Sequence, residues 1–262
     1  MTRWIITTIP SWLFFIIIVV VIAGGAVLIQ RLVRRRFPVL IAGEHNDVTK
    51  FTYGFIGFVY AFFVGFVVSS MWSQINTADG NARSEGAAAV QMAMDADLFD
   101  TADRDRIRDS LLQYTNAAIA EWTLDYNYSA EAQDALVRLR TTYQQIRPTN
   151  DTQKTALSTS NSNLDKVSQA RTVRLLAARE DSGPPWALWA VILLTSSMVL
   201  GTVIIYGVEK PAMHYPMVAI VGLVVASNLF LIIELSHPYV GDLATSPDPL
   251  EAVVSVLQRS SP

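Results

Sequence analysis

One uncharged run, Phe51 to Ala78, constrains this chain more than any other feature. Its first part, Phe51 to Trp72 (FTYGFIGFVYAFFVGFVVSSMW), is long enough to cross a bilayer. About 20 residues at ~1.5 Å each span a ~30 Å hydrocarbon core. A stretch this apolar satisfies its backbone in lipid only as a helix. On a helix it carries two faces. Phe51, Phe55, Phe58, Phe62 and Phe66 recur at spacings of four and three and form one stripe. Gly57, Ala61 and Gly65 recur every four residues and sit about 100° round from it. Such a small-residue face admits close approach by another helix. The aromatic face is open to three readings: lipid, a neighbouring helix, or a pore.

Three more runs read as spans. Ser11 to Ile29 is nearly continuous apolar sequence, followed by Arg31, Arg34, Arg35 and Arg36. A cleaved signal peptide competes for it, but the run is too long for a signal core and the arginines resemble a stop-transfer block. Trp186 to about Tyr206 and Pro216 to Leu235 form a second pair. The chain is 51% hydrophobic and 16% charged, against roughly 25% charged in globular domains. The class is therefore an all-α membrane protein with four transmembrane helices and a helical insert between the second and third. The expected divisions are a hairpin over 1–71, with spans near 11–29 and 52–71, and an insert over 72–185. A second hairpin follows over 186–235, with spans near 186–207 and 216–235, and then a tail over 236–262.

The insert is rich in helix formers. Ala82 to Phe99, Arg104 to Tyr126, Ser129 to Ile146 and Thr152 to Glu180 are expected as four helices, with Arg147-Pro148 breaking the third from the fourth. Thr152 to Glu180 is polar enough that it must pack along the others. Asn46 or Asp47 is a candidate cap for the second span. The segment 208–215 is expected as a tight hairpin, and Glu234 as an interfacial, hydrated group. Asn228, inside the fourth span, is expected to bond to a neighbouring helix. The hydroxyls of Thr195, Ser196 and Ser197 are expected to bond back to their own helix. Leu250 to Leu257 reads as a short amphipathic segment.

The short connectors carry the orientation signal. Residues 31–50 hold five cations, Arg31, Arg34, Arg35, Arg36 and Lys50, and 208–215 hold Lys210. Lys and Arg mark the cytoplasmic side, which places the N terminus, insert and tail outside. Arg171, Arg174 and Arg179, just before the third span, argue the other way. The basic block after the first span also suits anionic headgroups.

Much chemistry is missing. There is no cysteine, so disulfides and thiolate sites are excluded. No Walker loop, GxGxxG, HExxH or GxSxG occurs, so no enzyme is expected. His45, His214 and His237 lie on three connectors, the last two on opposite ends of the fourth span, so no shared metal and no cofactor is expected. Glu44-His45-Asn46-Asp47 reads as a solvated or capping turn. A net charge of −3 gives no support for nucleic-acid binding. Asn127-Tyr128-Ser129 and Asn150-Asp151-Thr152 match glycosylation sequons too short to carry weight.

A family resemblance rests on particular residues: Glu85 before an alanine-rich helix, Glu121-Trp122 after Tyr114, the Arg171/Arg174 pair, Pro184-Pro185, and Ile232 to Gly241 (IIELSHPYVG). In this order they resemble the bestrophin-like membrane proteins of the DUF4239 family, over nearly the whole chain. The resemblance implies the architecture of bestrophins, homopentameric anion channels with four spans, a cytosolic helical insert, and a neck on the second span. Carried over, Phe55, Phe58, Phe62 and Phe66 become neck candidates. The tail motif His237, Pro238, Tyr239, Val240, Gly241, Asp242 is similar to the bestrophin segment that precedes a calcium-binding acidic run. That run is absent here, so calcium gating is not implied.

Two functional readings stand. The first is a homo-oligomeric channel for anions such as chloride, in the cell membrane of a prokaryote. The second is a non-conducting scaffold whose 72–185 insert binds a protein partner. Where the Phe stripe points separates them.

Overall fold

The computed structural model describes residues 2–38, 46–123, 129–180, 183–208 and 210–259. Within them the elements are α1 (Thr2–Thr8), α2 (Ser11–Arg36), α3 (Asn46–Asp95), α4 (Thr101–Thr123), α5 (Ala130–Gln145), α6 (Asp151–Glu180), α7 (Trp186–Ile205), α8 (Pro211–Glu234) and α9 (Asp248–Arg259). Four of these, α2, α3, α7 and α8, are long and apolar enough to cross a membrane. Glu44, His45 and Asn127-Tyr128, named above, lie outside the described residues, as do the side chains of Asn46 and Asp47.

The chain divides into two units. The first comprises 1–73 and 182–243. Here α8 is the central helix, packed against α2, α7 and the short α1. α2 contains a single π turn, Val20–Gly24. A wide turn of this kind absorbs one extra residue in a helix. It lays Ala23 against Gly222 of α8, where a Cβ on the glycine would lie 2.7 Å from the Ala23 Cα. Further along, Phe15 meets Phe230 edge-on at 5.1 Å between ring centres, a geometry the ring quadrupoles favour.

Three expectations for this unit are corrected. The basic block is not in the connector: α2 continues helical to Arg36, since nothing before Phe37-Pro38 breaks it. The hairpin over 208–215 is shorter than expected, because α8 starts at Pro211, where proline's fixed φ suits the first helical position. His214 is then helical and buried rather than in a loop. Glu234 is 2% exposed, not hydrated.

The second unit comprises 74–181 and 244–262. The tail is thus shared: 236–243 belongs with the spans and 244–262 with the insert. The amphipathic segment is the helix α9, and its Leu250, Val253 and Leu257 enter the core formed by α3 to α6. Gly86 permits this, because a Cβ there would stand 2.4 Å from the Pro249 carbonyl oxygen. Polar side chains set the helix starts. Ser129 Oγ accepts from the Ala132 amide at 3.2 Å, and Asn150 Oδ1 accepts from the Gln153 amide at 2.9 Å, the N-cap pattern. α6 buries Ala156, Leu164 and Val167 despite its polar composition.

The insert's first helix is not separate. α3 runs unbroken from Asn46 to Asp95, through Gly80-Asn81. Its buried positions include Tyr60, Val64, Val67, Met71, Ile75, Ala78, Ala82, Glu85, Ala89, Met92 and Ala96, the last in the 3-10 turn that follows, with Ala88, Ala93 and Asp95 beside them. The first eleven recur at spacings of four and three, the repeat of a helix that packs along one side.

Candidate functional site

Three groupings have chemical character. The first is the aromatic stripe. On α3 the seam Tyr60, Val64, Val67 and Met71 is buried, while Phe51, Phe55, Phe58, Phe62 and Phe66 are 63 to 80% exposed. Among the described residues the stripe thus has no cover. Gly57, Ala61 and Gly65 also remain uncovered there: a Cβ on either glycine would meet nothing within 4 Å, and Ala61 is exposed. Tyr60, on the buried side, takes the Asn228 amide at 3.5 Å, which gives that mid-span amide a neighbouring helix to bond. Thr195 and Ser197 bond back to the carbonyls of Val191 and Leu193 at 2.8 and 2.7 Å, whereas buried Ser196 Oγ finds no partner among the described residues.

The second grouping lies at the two ends of α8. At its start, His214 Nδ1 is 2.9 Å from Gln30 Nε2 and 3.2 Å from Arg34 Nη1. Its Nε2 lies 3.1 Å from the Val203 carbonyl oxygen. Two donors face Nδ1, so Nδ1 accepts and Nε2 carries the proton: the geometry sets a neutral imidazole. At the other end the tail motif folds inward. Glu234, Ser236, His237, Tyr239 and Val240 are all buried, and Asp242 is exposed. Gly241 has φ +106°, and a Cβ would strike Ile6 Cγ2 at 2.4 Å and stand 3.7 Å from Glu234 Oε2. Glycine is required there on both counts. Pro238 starts no helix and lies in the turn. His214 and His237 are 23 residues apart, about 34 Å at helical rise, so they share no site.

The third grouping is buried in the second unit, and it unites motif residues scattered over ninety positions of sequence. Arg171 grips Glu121 with two nitrogens, Nη2 to Oε1 at 2.6 Å and Nε to Oε2 at 3.1 Å. Its Nη1 donates to Gln133 Oε1 at 2.8 Å. Arg174 Nε donates to Glu85 Oε2 at 3.1 Å, and Nη2 reaches Glu121 Oε2 at 3.4 Å. The Tyr114 hydroxyl donates to Glu85 Oε1 at 2.8 Å. The Arg174 guanidinium also sits 5.0 Å from the centre of the Trp122 ring. Both glutamates are 0% exposed and the arginines 3% and 1%. Two anions and two cations leave the cluster neutral, which is how buried charge is tolerated.

The surroundings shift two of these groups. Burial, reinforced by the Glu85 charge and hydrogen bond, pushes the Tyr114 phenol well above its ordinary range. Burial works against the Arg174 charge, but Glu85, Tyr114 and Glu121 outweigh it and raise its pKa. Arg171 and Arg174 are therefore interior groups, and neither counts as an interfacial charge before the third span.

Four apolar helices, one of which continues into a second helical unit with a buried charge cluster, define an α-helical integral membrane protein. A family model of the bestrophin-like domain matches residues 20–250. The chain belongs to the bestrophin-like family. Among solved structures it is similar to a bacterial bestrophin homolog from Klebsiella pneumoniae. One mutant form shows 15% identity and a TM-score of 0.68, with 94% of this chain and 96% of that chain covered. A form solved by zinc phasing shows 16% identity and a TM-score of 0.67, over 93% and 96%. A second mutant form shows 17% identity and a TM-score of 0.66, again over 93% and 96%. No curated protein matches the chain.

Proposed function

We propose that the chain is one protomer of a homo-oligomeric anion channel, with Phe55, Phe58, Phe62 and Phe66 forming its neck. The observation that carries this is the uncovered aromatic stripe on a helix whose opposite seam is packed. Family membership supports it, since bestrophins are oligomeric anion channels rather than enzymes. One four-helix protomer cannot enclose a lumen beside its own core, so the stripe lines a pore only when copies assemble around an axis. Phenylalanine edges carry partial positive charge and can face a partly dehydrated anion such as chloride. Gly57, Ala61 and Gly65 are then positions where a neighbouring copy's helix approaches. The same motif residues carry the narrower DUF4239 assignment, and a prokaryotic cell membrane is the proposed location.

Chloride flux into liposomes holding the purified protein tests the reading, with Phe58→Ala and Phe62→Ala beside wild type. Flux is expected, with rate or selectivity altered by either truncation. Silence in all three folded proteins overturns the channel and leaves the non-conducting scaffold with its partner-binding insert.

Orientation has its own test. The short-connector cations place the N terminus and insert outside, whereas bestrophin inserts are cytosolic. The chain has no cysteine, so a single Gln144→Cys label is unambiguous. Labelling by an impermeant maleimide on intact cells is what the charge count requires; protection until permeabilisation is what the family relation requires.

A further inference from the structure

The end of α2 sorts its four arginines into two groups. Leu28 and Leu32 are 62% and 64% exposed and share one face. At about 100° per residue, Arg35 and Arg36 fall on either side of that face one turn further on, with Arg31 beside Arg35. All three are exposed. Arg34 points the opposite way, into the protein, where Nη1 donates to the Val208 carbonyl oxygen at 2.6 Å and contacts His214. That hydrogen bond fastens the end of α2 to the connector before α8. Among the described residues none of Arg31, Arg35 or Arg36 forms an ion pair.

We propose that this edge is a binding site for anionic phospholipid, with Arg31, Arg35 and Arg36 holding the headgroup phosphate and Leu28 and Leu32 lying along the acyl chains. An apolar face that ends in exposed cations has the polarity order of a lipid leaflet. The guanidinium fork matches phosphate oxygens two at a time. The occupant is a lipid rather than a free phosphate because the cations continue a face that is itself apolar and exposed. Arg34 anchors the edge and takes no direct part.

Native mass spectrometry of the full chain, purified with equal amounts of phosphatidylglycerol and phosphatidylcholine, tests this. Phosphatidylglycerol adducts are expected to exceed phosphatidylcholine adducts by at least about fivefold, the effect of one engaged cation. The ratio is expected to fall close to one in the Arg31→Gln/Arg35→Gln/Arg36→Gln variant, whose changed side chains are exposed. It is expected to hold in Arg138→Gln, an exposed cation of the second unit. The Arg31→Lys/Arg35→Lys/Arg36→Lys variant keeps the charge and is expected to keep part of the enrichment. A wild-type ratio near one, or an unchanged ratio in the triple glutamine variant, overturns the site. Displacement of the lipid by inorganic phosphate overturns the lipid assignment.

Discussion

The two stretches of α3 treat polarity in opposite ways. From Phe51 to Phe66 the helix leaves five phenylalanines exposed and buries Tyr60 and Val64 behind them. From Ala78 to Ala96 it buries the Glu85 carboxylate completely, and Arg174 and Tyr114 satisfy it. In lipid an exposed ring costs nothing, so the outward face is shaped by what lies beyond the protomer. In the second unit every polar group taken inside must be met inside. The first stretch is incomplete by itself and the second is self-sufficient.

The sharpest way to break that contrast is Glu121→Ala. It leaves Arg171 without its bidentate partner and Arg174 with only Glu85. A loss of about 3–5 kcal/mol is expected, read from chemical denaturation of the full chain. Little change would mean that water reaches the cluster. Tyr114→Phe removes a hydrogen bond to a buried carboxylate, and about 1.5–3 kcal/mol is expected to go with it.

The same tyrosine sets a pH signature. Its folded pKa is raised, so below the unfolded value of about 10 its contribution is fully present. As pH rises past that value the unfolded phenol loses its proton and the folded one keeps it. Stability then falls by about 1.4 kcal/mol per pH unit for each such group. Tyr143, also raised chiefly by burial, adds a second. A pH titration of unfolding in Tyr114→Phe is expected to show a shallower alkaline slope than wild type.

In the span unit, Gly222→Ala drives a methyl into Ala23 and is expected to cost about 1–3 kcal/mol in thermal unfolding. The smallest expected effect is that of Phe58→Ala on stability, within about 0.5 kcal/mol for the dissociated protomer. A large loss there would show that the ring packs inside its own chain, and the contrast would fail.

The four spans were legible because lipid demands uninterrupted apolar sequence, and α2, α3, α7 and α8 have it. The insert's later helices were legible from their helix-forming composition and from Arg147-Pro148, which separates the third from the fourth. The unbroken passage of α3 through Gly80-Asn81 was not. A local reading sees turn formers there, whereas the four-three alternation of Ile75, Ala78, Ala82 and Glu85 carries the helix across. That alternation was the available signal, and it also marks Glu85 as a polar group on a packing seam. The charge cluster was half legible. Its members were visible as motif residues, but convergence of α3, α4 and α6 on one point is a long-range property. The buried state of His214 was hidden because Lys210-Pro211 resembles a turn until proline is read as a helix start.

The π turn of α2 acts as a phase shifter. It adds one residue to the helix, and so decides which side chains downstream share an azimuth with α8. Wind the same residues as α throughout and each later side chain takes its successor's place. Ile29 and Val33 would then stand where Gln30 and Arg34 now meet His214, and the imidazole would face two aliphatic side chains instead of an amide and an arginine. One wide turn, some seven positions upstream of Gln30, thus separates a hydrogen-bonded histidine from one without partners on that helix.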